Sequence, residues 1–291
     1  MKKWLLLGFL LAAMNCAEPA LAASPTWTGF YVGGSSGYAW GTQKSTTTIA
    51  DGPGFLTCHF CDIFTGGNDT GVAANAGTQS LRPQGFTGGL QLGYNFQSGP
   101  WVYGIETDFG YFGQHRTNST SVVLPANTAL GGGGGVCGAN ATTTCVGNYS
   151  TTVSTDWLLT VRPRIGFAWD RTLAYATVGL AVTQLKFSHT YTDNITYFLI
   201  PGNTGAGGFV QMSASAVKVG FILGGGVEHS FAERWSVKGE YLVTRFSGLG
   251  ANGVLTDGLT PTSGTFANFA ANADHLTSHM LRVGLNYRFA D

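Results

Sequence analysis

The stretch WVYGIETDFGY, residues 101–111, shows the pattern that decides the fold of this 291-residue chain. Aromatic and apolar side chains such as Tyr103 and Ile105 alternate with glycine and acidic residues such as Glu106 and Asp108. A period of two is typical of a β-strand whose two faces meet different surroundings. The stretch therefore predicts a strand with one apolar face and one polar face.

The same alternation recurs along the chain from residue 28 onward. Three connections between the alternating segments are tight turns, at 97–100, 170–171 and 230–234, and the other four are long and rich in Gly, Thr, Asn and Ser, as loops are. Short turns at one end and long loops at the other are the layout of an up-and-down outer-membrane barrel. The eight predicted strands are 29–41, 84–97, 101–115, 153–169, 172–190, 213–229, 235–246 and 275–289, and the predicted loops are 42–83, 116–152, 191–212 and 247–274.

The composition limits the class of protein. The chain has 15 Lys and Arg against 15 Asp and Glu residues, and this neutral balance argues against a nucleic-acid-binding protein. Charged residues make up only 10% of the chain, compared with about a quarter in soluble domains. The 44 glycines argue against a helical bundle, because glycine costs about 1 kcal/mol per helix position relative to alanine. An all-β protein with an outer face in lipid fits these numbers.

Alternation alone does not tell which face of the sheet is inside. A soluble, lipocalin-like barrel with its apolar face around a ligand is therefore one alternative. The inverted arrangement is favoured because the polar face has the glycine, small and charged residues that a narrow lumen needs, and the apolar face has no charge at mid-strand. Tryptophans also lie near strand ends, as in an interfacial girdle. We therefore predict an all-β, eight-stranded antiparallel transmembrane barrel with short periplasmic turns and four long extracellular loops.

The first residues have the pattern of a secretory signal peptide. Two lysines precede the apolar run WLLLGFLLAA at 4–13, and the tripeptide Ala-Leu-Ala at 20–22 offers a cleavage site. The apolar run is shorter than the roughly 20 residues that span a bilayer as a helix. We therefore predict a signal peptide at 1–22 and a barrel domain at 23–291.

Several segments together resemble a known family. They include WTGFYVGG at 27–34, RIGFAWDR at 164–171, WSVK at 235–238 and HMLRVGLNYRF at 279–289. They resemble the alphaproteobacterial family of small outer-membrane β-barrels, a porin-like family related to the opacity-type and OmpA-like barrels. The resemblance implies a place in the bacterial outer membrane, with outer-membrane lipid, lipopolysaccharide and the barrel-assembly machinery as partners. Members of this family are porin-like, structural or haem-binding proteins, so the resemblance does not decide the function.

The predicted inner face carries charges of both signs, and an eight-stranded barrel is just wide enough for side chains to fill. Because an unpaired buried charge is costly, we expect Glu106 to pair with Arg162 or Arg164, and Glu240 with Arg282. Such pairing favours a structural surface protein for envelope integrity with a mostly filled lumen, and a narrow porin-like pore is the alternative. The predicted lumen charges are Glu106, Asp108, Arg162, Arg164, Lys186, Lys218, Glu228, Lys238, Glu240, Arg282 and Arg288.

Four cysteines follow the predicted signal peptide. Cys58 and Cys61 lie in the first long loop, and Cys137 and Cys145 lie in the second. An even number of cysteines in an oxidising compartment predicts disulfides. Local pairing within each loop is favoured among the three connectivities.

Two histidines are candidate ligands for haem or a metal. His275 and His279 are four residues apart on one face of the last strand, and imidazole ligation there would indicate a ligand-binding surface receptor. No catalytic motif stands out, and the glycine run at 131–135 lacks the Lys and Ser or Thr of a phosphate loop. We therefore predict no enzymatic activity, no resident cofactor and no nucleic-acid partner, with any extracellular ligand left unidentified.

Overall fold

The computed structural model of the chain describes residues 26–51, 60, 69–124, 145–194, 207–257 and 267–289. The predicted signal peptide at 1–22 lies outside these residues. In the described part of the chain, no helix has the length and apolar character needed to cross a membrane. The elements are β1 (Gly29–Asp51), α1 (Asp69–Gly77), β2 (Gln79–Leu81), β3 (Gln84–Ser98), β4 (Trp101–Phe112), β5 (His115–Leu124), β6 (Cys145–Trp169), β7 (Thr172–Asp193), β8 (Gly208–Ser230), β9 (Trp235–Phe246), β10 (Leu249–Asp257), β11 (Ala267–Ala273) and β12 (Leu276–Arg288).

Eight of these strands close a ring in which all neighbours are antiparallel. The order is β1, β3, β4, β6, β7, β8, β9 and β12, and β12 pairs with β1 again. Tight connections join β3 to β4, β6 to β7 and β8 to β9 at one end of the ring, which we call the turn end, and the opposite end is the loop end. The fold is thus an all-β, antiparallel, barrel-like fold. Its eight ring strands overlap the eight segments predicted from alternation.

The four long connections are not merely loops, and here the sequence prediction was wrong. Long extensions of β1, β6, β7 and β8 continue past the ring at the loop end, where β5 pairs with β6 and β10 pairs with β11. Thr and Val in these segments favour strands, and pairing satisfies backbone groups that a loop would leave to water. These segments form a second layer, the cap, made of residues 43–51, 69–81, 115–124, 145–155, 185–193, 208–217, 249–257 and 267–273.

A β-bulge in β6 separates the two layers. The pairing of β6 with β7 shifts register between Thr155 and Leu158. In the cap, odd-numbered residues of β6 such as Val153 are buried, whereas in the ring even-numbered residues such as Arg162 are buried. Because side chains alternate along a strand, an extra residue exchanges its two faces. The bulge therefore lets one strand present a different set of side chains to each interior.

The two layers have opposite polarity. In the ring, apolar side chains point outward, and Leu90 is 76% and Phe86 is 70% exposed. In the cap, apolar side chains such as Tyr191, Leu255 and Phe269 are buried in one cluster. An apolar exterior suits lipid, and an apolar interior suits a layer in water. The lipocalin-like alternative does not fit the ring, since it would require the apolar face to point inward.

Candidate functional site

Eight charged side chains fill the lumen of the ring, and none is more than 5% exposed. Four are acidic and four are basic, so the set carries no net charge. Burial of a charge without a partner is costly, so the pairing within this set decides whether the ring is stable. The eight are Glu106 and Asp108 of β4, Arg162 and Arg164 of β6, Glu228 of β8, Lys238 and Glu240 of β9, and Arg282 of β12.

Six of the eight form a closed loop of alternating sign, which we call the charge ring. Its first three members come from the neighbouring strands β4 and β6, where Glu106 and Arg162 are direct register partners. A terminal nitrogen of Arg162 lies 2.5 Å from a Glu106 oxygen and 2.8 Å from an Asp108 oxygen. The order around the charge ring is Glu106, Arg162, Asp108, Arg282, Glu240, Lys238 and back to Glu106.

The other half of the charge ring comes from β9 and β12 on the opposite wall. Arg282 lies 2.9 Å from Asp108 across the lumen and 2.9 Å from Glu240 beside it. The Lys238 ammonium lies 2.8 Å from Glu106 and 3.4 Å from Glu240, which closes the loop. Each carboxylate in the charge ring therefore contacts at least two cations, and each cation contacts at least two carboxylates.

Neutral hydroxyl groups hold the carboxylates in position. Tyr31 donates a hydrogen bond of 2.8 Å to Glu106, and Tyr175 donates one of 2.7 Å to Glu240. Thr160 donates one of 2.5 Å to Asp108. These bonds occupy carboxylate lone pairs that the cations leave open, as a stable buried ion pair requires.

The remaining pair of the set lies one layer nearer the turn end. Arg164 is 3.2 Å from Glu228, and its guanidinium lies 4.7 Å and 5.0 Å from the ring centres of Tyr31 and Tyr175. Asn286 donates a further hydrogen bond of 2.8 Å to Glu228. Cation–π contacts of this kind are strongest where water is excluded, so the two tyrosines link this pair to the charge ring.

Glycines on the inner face make room for these large side chains. A Cβ atom built on Gly93 would lie 2.2 Å from the hydroxyl oxygen of Tyr31, and one on Gly37 would lie 3.0 Å from Cγ of Arg282. The first contact is shorter than real Cβ atoms show, and the second is tighter than most real Cβ contacts. The glycine-rich polar face in the sequence is thus a packing requirement of the filled lumen.

Beyond the charge ring, toward the loop end, the inner side chains become apolar. Leu242 and Met280 are register partners next to the Glu240–Arg282 pair, and both are completely buried. Phe112 and Leu158 on the opposite wall are also buried, and all four belong to the cluster that continues into the cap. These four residues are the apolar layer. The lumen therefore holds paired charges and, above them, packed hydrocarbon.

Three predicted lumen charges stand outside this set. Arg288 is buried at the turn end, with its guanidinium 4.8 Å from the ring centre of Trp27. Lys218 is half-buried on the inward register of β8. The prediction for Lys186 was wrong: its side chain is 45% exposed on the outer side of β7, where it pairs with Asp156. The inward residues of β7 are the odd-numbered ones, and its β-branched residues at even positions face outward.

The two candidate ligand histidines lie in different surroundings. His279 faces outward from β12, with Nδ1 2.7 Å from the Tyr241 hydroxyl and its ring stacked 5.9 Å from that of Trp40. His275 is exposed just before β12 and lines a separate surface hollow. Across the described ranges, no group of three His, Cys, Asp or Glu side chains is placed to hold a metal ion.

The sequence analysis did not single out the buried histidine of the cap. His189 is completely buried, with its ring nitrogens 2.9 Å from the Thr151 hydroxyl and 3.4 Å from the Thr47 hydroxyl. Burial lowers the pKa of His189 to about 4, because the charged form would lose its water. The segments around His189 are rich in threonine, and such a composition does not predict that they enclose an apolar core.

The cysteines are described only in part. Cys145 is buried at the start of β6 and is disulfide-bonded. Cys58, Cys61 and Cys137 lie outside the described residues. The local pairing pattern stays a prediction.

The chain is similar to bacterial outer-membrane proteins over nearly its whole length. Residues 7–289 match the family described as outer membrane protein beta-barrel domain. The 31 kDa outer-membrane immunogenic protein of Brucella melitensis is 29% identical over 287 residues, 96% of this chain and 93% of that protein. The 22 kDa outer membrane protein of Rhizobium leguminosarum is 26% identical over 162 residues, 56% of this chain and 53% of that protein. The outer membrane protease OmpT from Escherichia coli aligns with a TM-score of 0.38 and 8% identity, over 92% of this chain and 99% of that one. Both sequence relatives are alphaproteobacterial, which confirms the predicted family.

Proposed function

Because the chain belongs to the outer membrane β-barrel protein family, and so lies in the bacterial outer membrane, we propose that it is a structural surface protein whose eight-stranded barrel is closed to solutes. The turn end faces the periplasm and the cap faces the exterior, as short turns and long connections do in such barrels. The 12 residues of β4, tilted by about 45°, rise about 28 Å, which is enough for an apolar band about 25 Å tall. The ring strands thus cross the membrane, and the cap stands in water.

The proposal rests on two features that obstruct the lumen, namely the charge ring and the apolar layer. In the charge ring, every carboxylate is already neutralised by neighbouring cations, so little net field is left to attract a passing ion. In the apolar layer, packed side chains offer an ion nothing that replaces its water, and a hydrophobic constriction of this kind resists wetting. Both features oppose the narrow porin-like pore that is the alternative.

The proposed role is mechanical and not enzymatic. The filled barrel holds the cap at the cell surface. It also adds to the envelope a barrel that solutes do not cross and that ion pairs across its lumen stabilise. Its contribution to envelope integrity then depends on the stability of the barrel, and not on turnover or transport.

Single-channel conductance tests the closed lumen. Mature protein is refolded into planar bilayers over a range of KCl concentrations, and folding is verified by the mobility difference between unheated and boiled samples on a gel. An unrelated large porin in the same bilayers is the control for detection. We expect silence from the folded protein. Stable, reproducible openings that scale with salt would overturn the closed lumen in favour of the narrow pore.

A further inference from the structure

A hollow of about 450 Å³ lies on the outer surface where the loop-end portions of β1, β2, β9 and β12 meet. Three basic side chains line it: Lys44 from β1, Arg82 after β2 and Arg245 from β9, and all three are exposed. His275 lines it as well, and Asp274 is the carboxylate in its lining. The hollow therefore gathers cations from segments that are far apart in the sequence.

These cations differ from those in the lumen because none of them forms an ion pair with the part of the chain that the structure describes. Every basic side chain of the charge ring contacts at least two carboxylates, whereas Lys44, Arg82 and Arg245 form no ion pair with the described residues, Asp274 included. Like charges around one hollow repel each other unless an anion lies between them. Hydroxyl groups of Thr42, Ser80 and Thr277 line the same hollow and can donate further hydrogen bonds.

The height of the hollow indicates the kind of anion. Just below it, on the same strands, the rings of Trp40 and Tyr241 both stack on His279 and form an outward-facing aromatic girdle. Lys44 follows Trp40 by four residues on the same face, which on a tilted strand is about 9 Å nearer the loop end. Aromatic girdles mark the membrane–water interface, so the cations stand at the level of lipid headgroups.

From these observations we propose that Lys44, Arg82 and Arg245, with His275 beside them, bind the phosphate of a phosphorylated lipid in the outer leaflet. Guanidinium groups donate paired hydrogen bonds to phosphate oxygens, and the ammonium of Lys44 adds a further charge. The acyl chains lie below the headgroup against the exposed apolar face, where Tyr38 and Phe86 pack edge to face. This site rests on the proposed orientation, with the cap outside the cell.

Lipid binding in mixed micelles tests the site, with native mass spectrometry to count bound lipids. The probes are diphosphorylated lipid A, the same lipid after removal of its phosphates, and inorganic phosphate alone. The test variant is Arg82→Gln/Arg245→Gln, and Arg82→Lys/Arg245→Lys keeps the charge. The matched control is Arg116→Gln/Lys186→Gln, which removes two exposed cations elsewhere in the cap.

We expect wild type to prefer diphosphorylated lipid A, and the Gln double variant to lose about tenfold in affinity, as expected for two exposed ion pairs. The Lys double variant keeps the charge but loses the paired guanidinium hydrogen bonds, so it should lose less affinity than the Gln double variant does. The control should bind nearly as wild type does. Equal binding by the Gln variant and the control would overturn the site. Competition by inorganic phosphate at the same concentration as the lipid would overturn the lipid assignment. Conductance of the wild-type protein would refute the closed lumen without affecting this result, since binding in micelles depends on neither the lumen nor the orientation.

Discussion

Removing one cation from the charge ring should destabilise the barrel far more than a surface substitution does. Arg162→Met deletes the guanidinium that lies 2.5 Å from Glu106, 2.8 Å from Asp108 and 3.5 Å from Glu240. The charge ring would then hold three carboxylates and only two cations in a lumen filled by side chains. Breaking a buried ion pair by removing one partner costs about 3–5 kcal/mol, so we expect a loss of that size in the free energy of unfolding.

A second substitution separates charge imbalance from lost packing. Arg162→Met/Glu106→Gln removes one charge of each sign and leaves two carboxylates and two cations in the charge ring, so it should recover at least about 1 kcal/mol relative to the single variant. The exposed control Lys186→Met loses only a surface pair with Asp156 and should stay within about 1 kcal/mol of wild type.

Urea unfolding of the refolded barrel in lipid vesicles, followed by tryptophan fluorescence, measures these free energies. Heat-modified gel mobility shows that each variant starts from a folded state. A value for Arg162→Met within 1 kcal/mol of wild type would refute the reasoning. A double variant less stable than the single one would show that the pairing geometry, and not the balance of charge, determines stability.

Two further outcomes follow from the lumen and the cap. Gly93→Ala would place Cβ 2.2 Å from the Tyr31 hydroxyl oxygen and should lower the free energy of unfolding by about 1–3 kcal/mol in the same urea assay. The control Gly239→Ala, whose Cβ meets nothing within 4 Å, should be nearly neutral. Equal effects of the two substitutions would contradict the packing argument. The pKa of His189 is about 4 in the folded cap and about 6.5 in the unfolded chain, so its stabilisation is complete above pH 6.5 and is lost as the pH falls from 6.5 toward 4. The loss should reach about 3 kcal/mol, measured by hydrogen exchange in the cap strands, and His189→Gln should flatten the pH profile over this range.

Alternation predicted the eight ring strands well because each ring strand separates lipid from a polar lumen, which is the strongest contrast a strand can have. The inward placement of Glu106 and Arg162 followed from the same contrast. Lys186 was misplaced because apolar residues occupy both faces of β7 near the boundary between ring and cap. The sequence did not predict the bulge between Thr155 and Leu158, because one added residue is hard to recognise in an alternating pattern that is already imperfect.

The cap was harder to predict for a different reason. Its strands are rich in Thr, Ser, Asn and Gly, and its core in β11 is built from small side chains such as Ala271 and Ala273. Thr favours strands, whereas Asn and Gly disfavour them, so the composition points both ways and only pairing between distant segments decides the outcome. The hollow around Lys44, Arg82 and Arg245 depends on the same distant pairings, so no local motif indicates it.

The charge ring also has a consequence for how the sheet finds its pairing. Two of its strands, β4 and β6, are neighbours, and the other two, β9 and β12, are neighbours on the opposite wall. A slip of one residue in any of these strands would turn its charges toward lipid, at about 2–4 kcal/mol for each cation at the membrane centre, and would break contacts on both walls at once. The six side chains therefore penalise any alignment in which one of these four strands is shifted by one position.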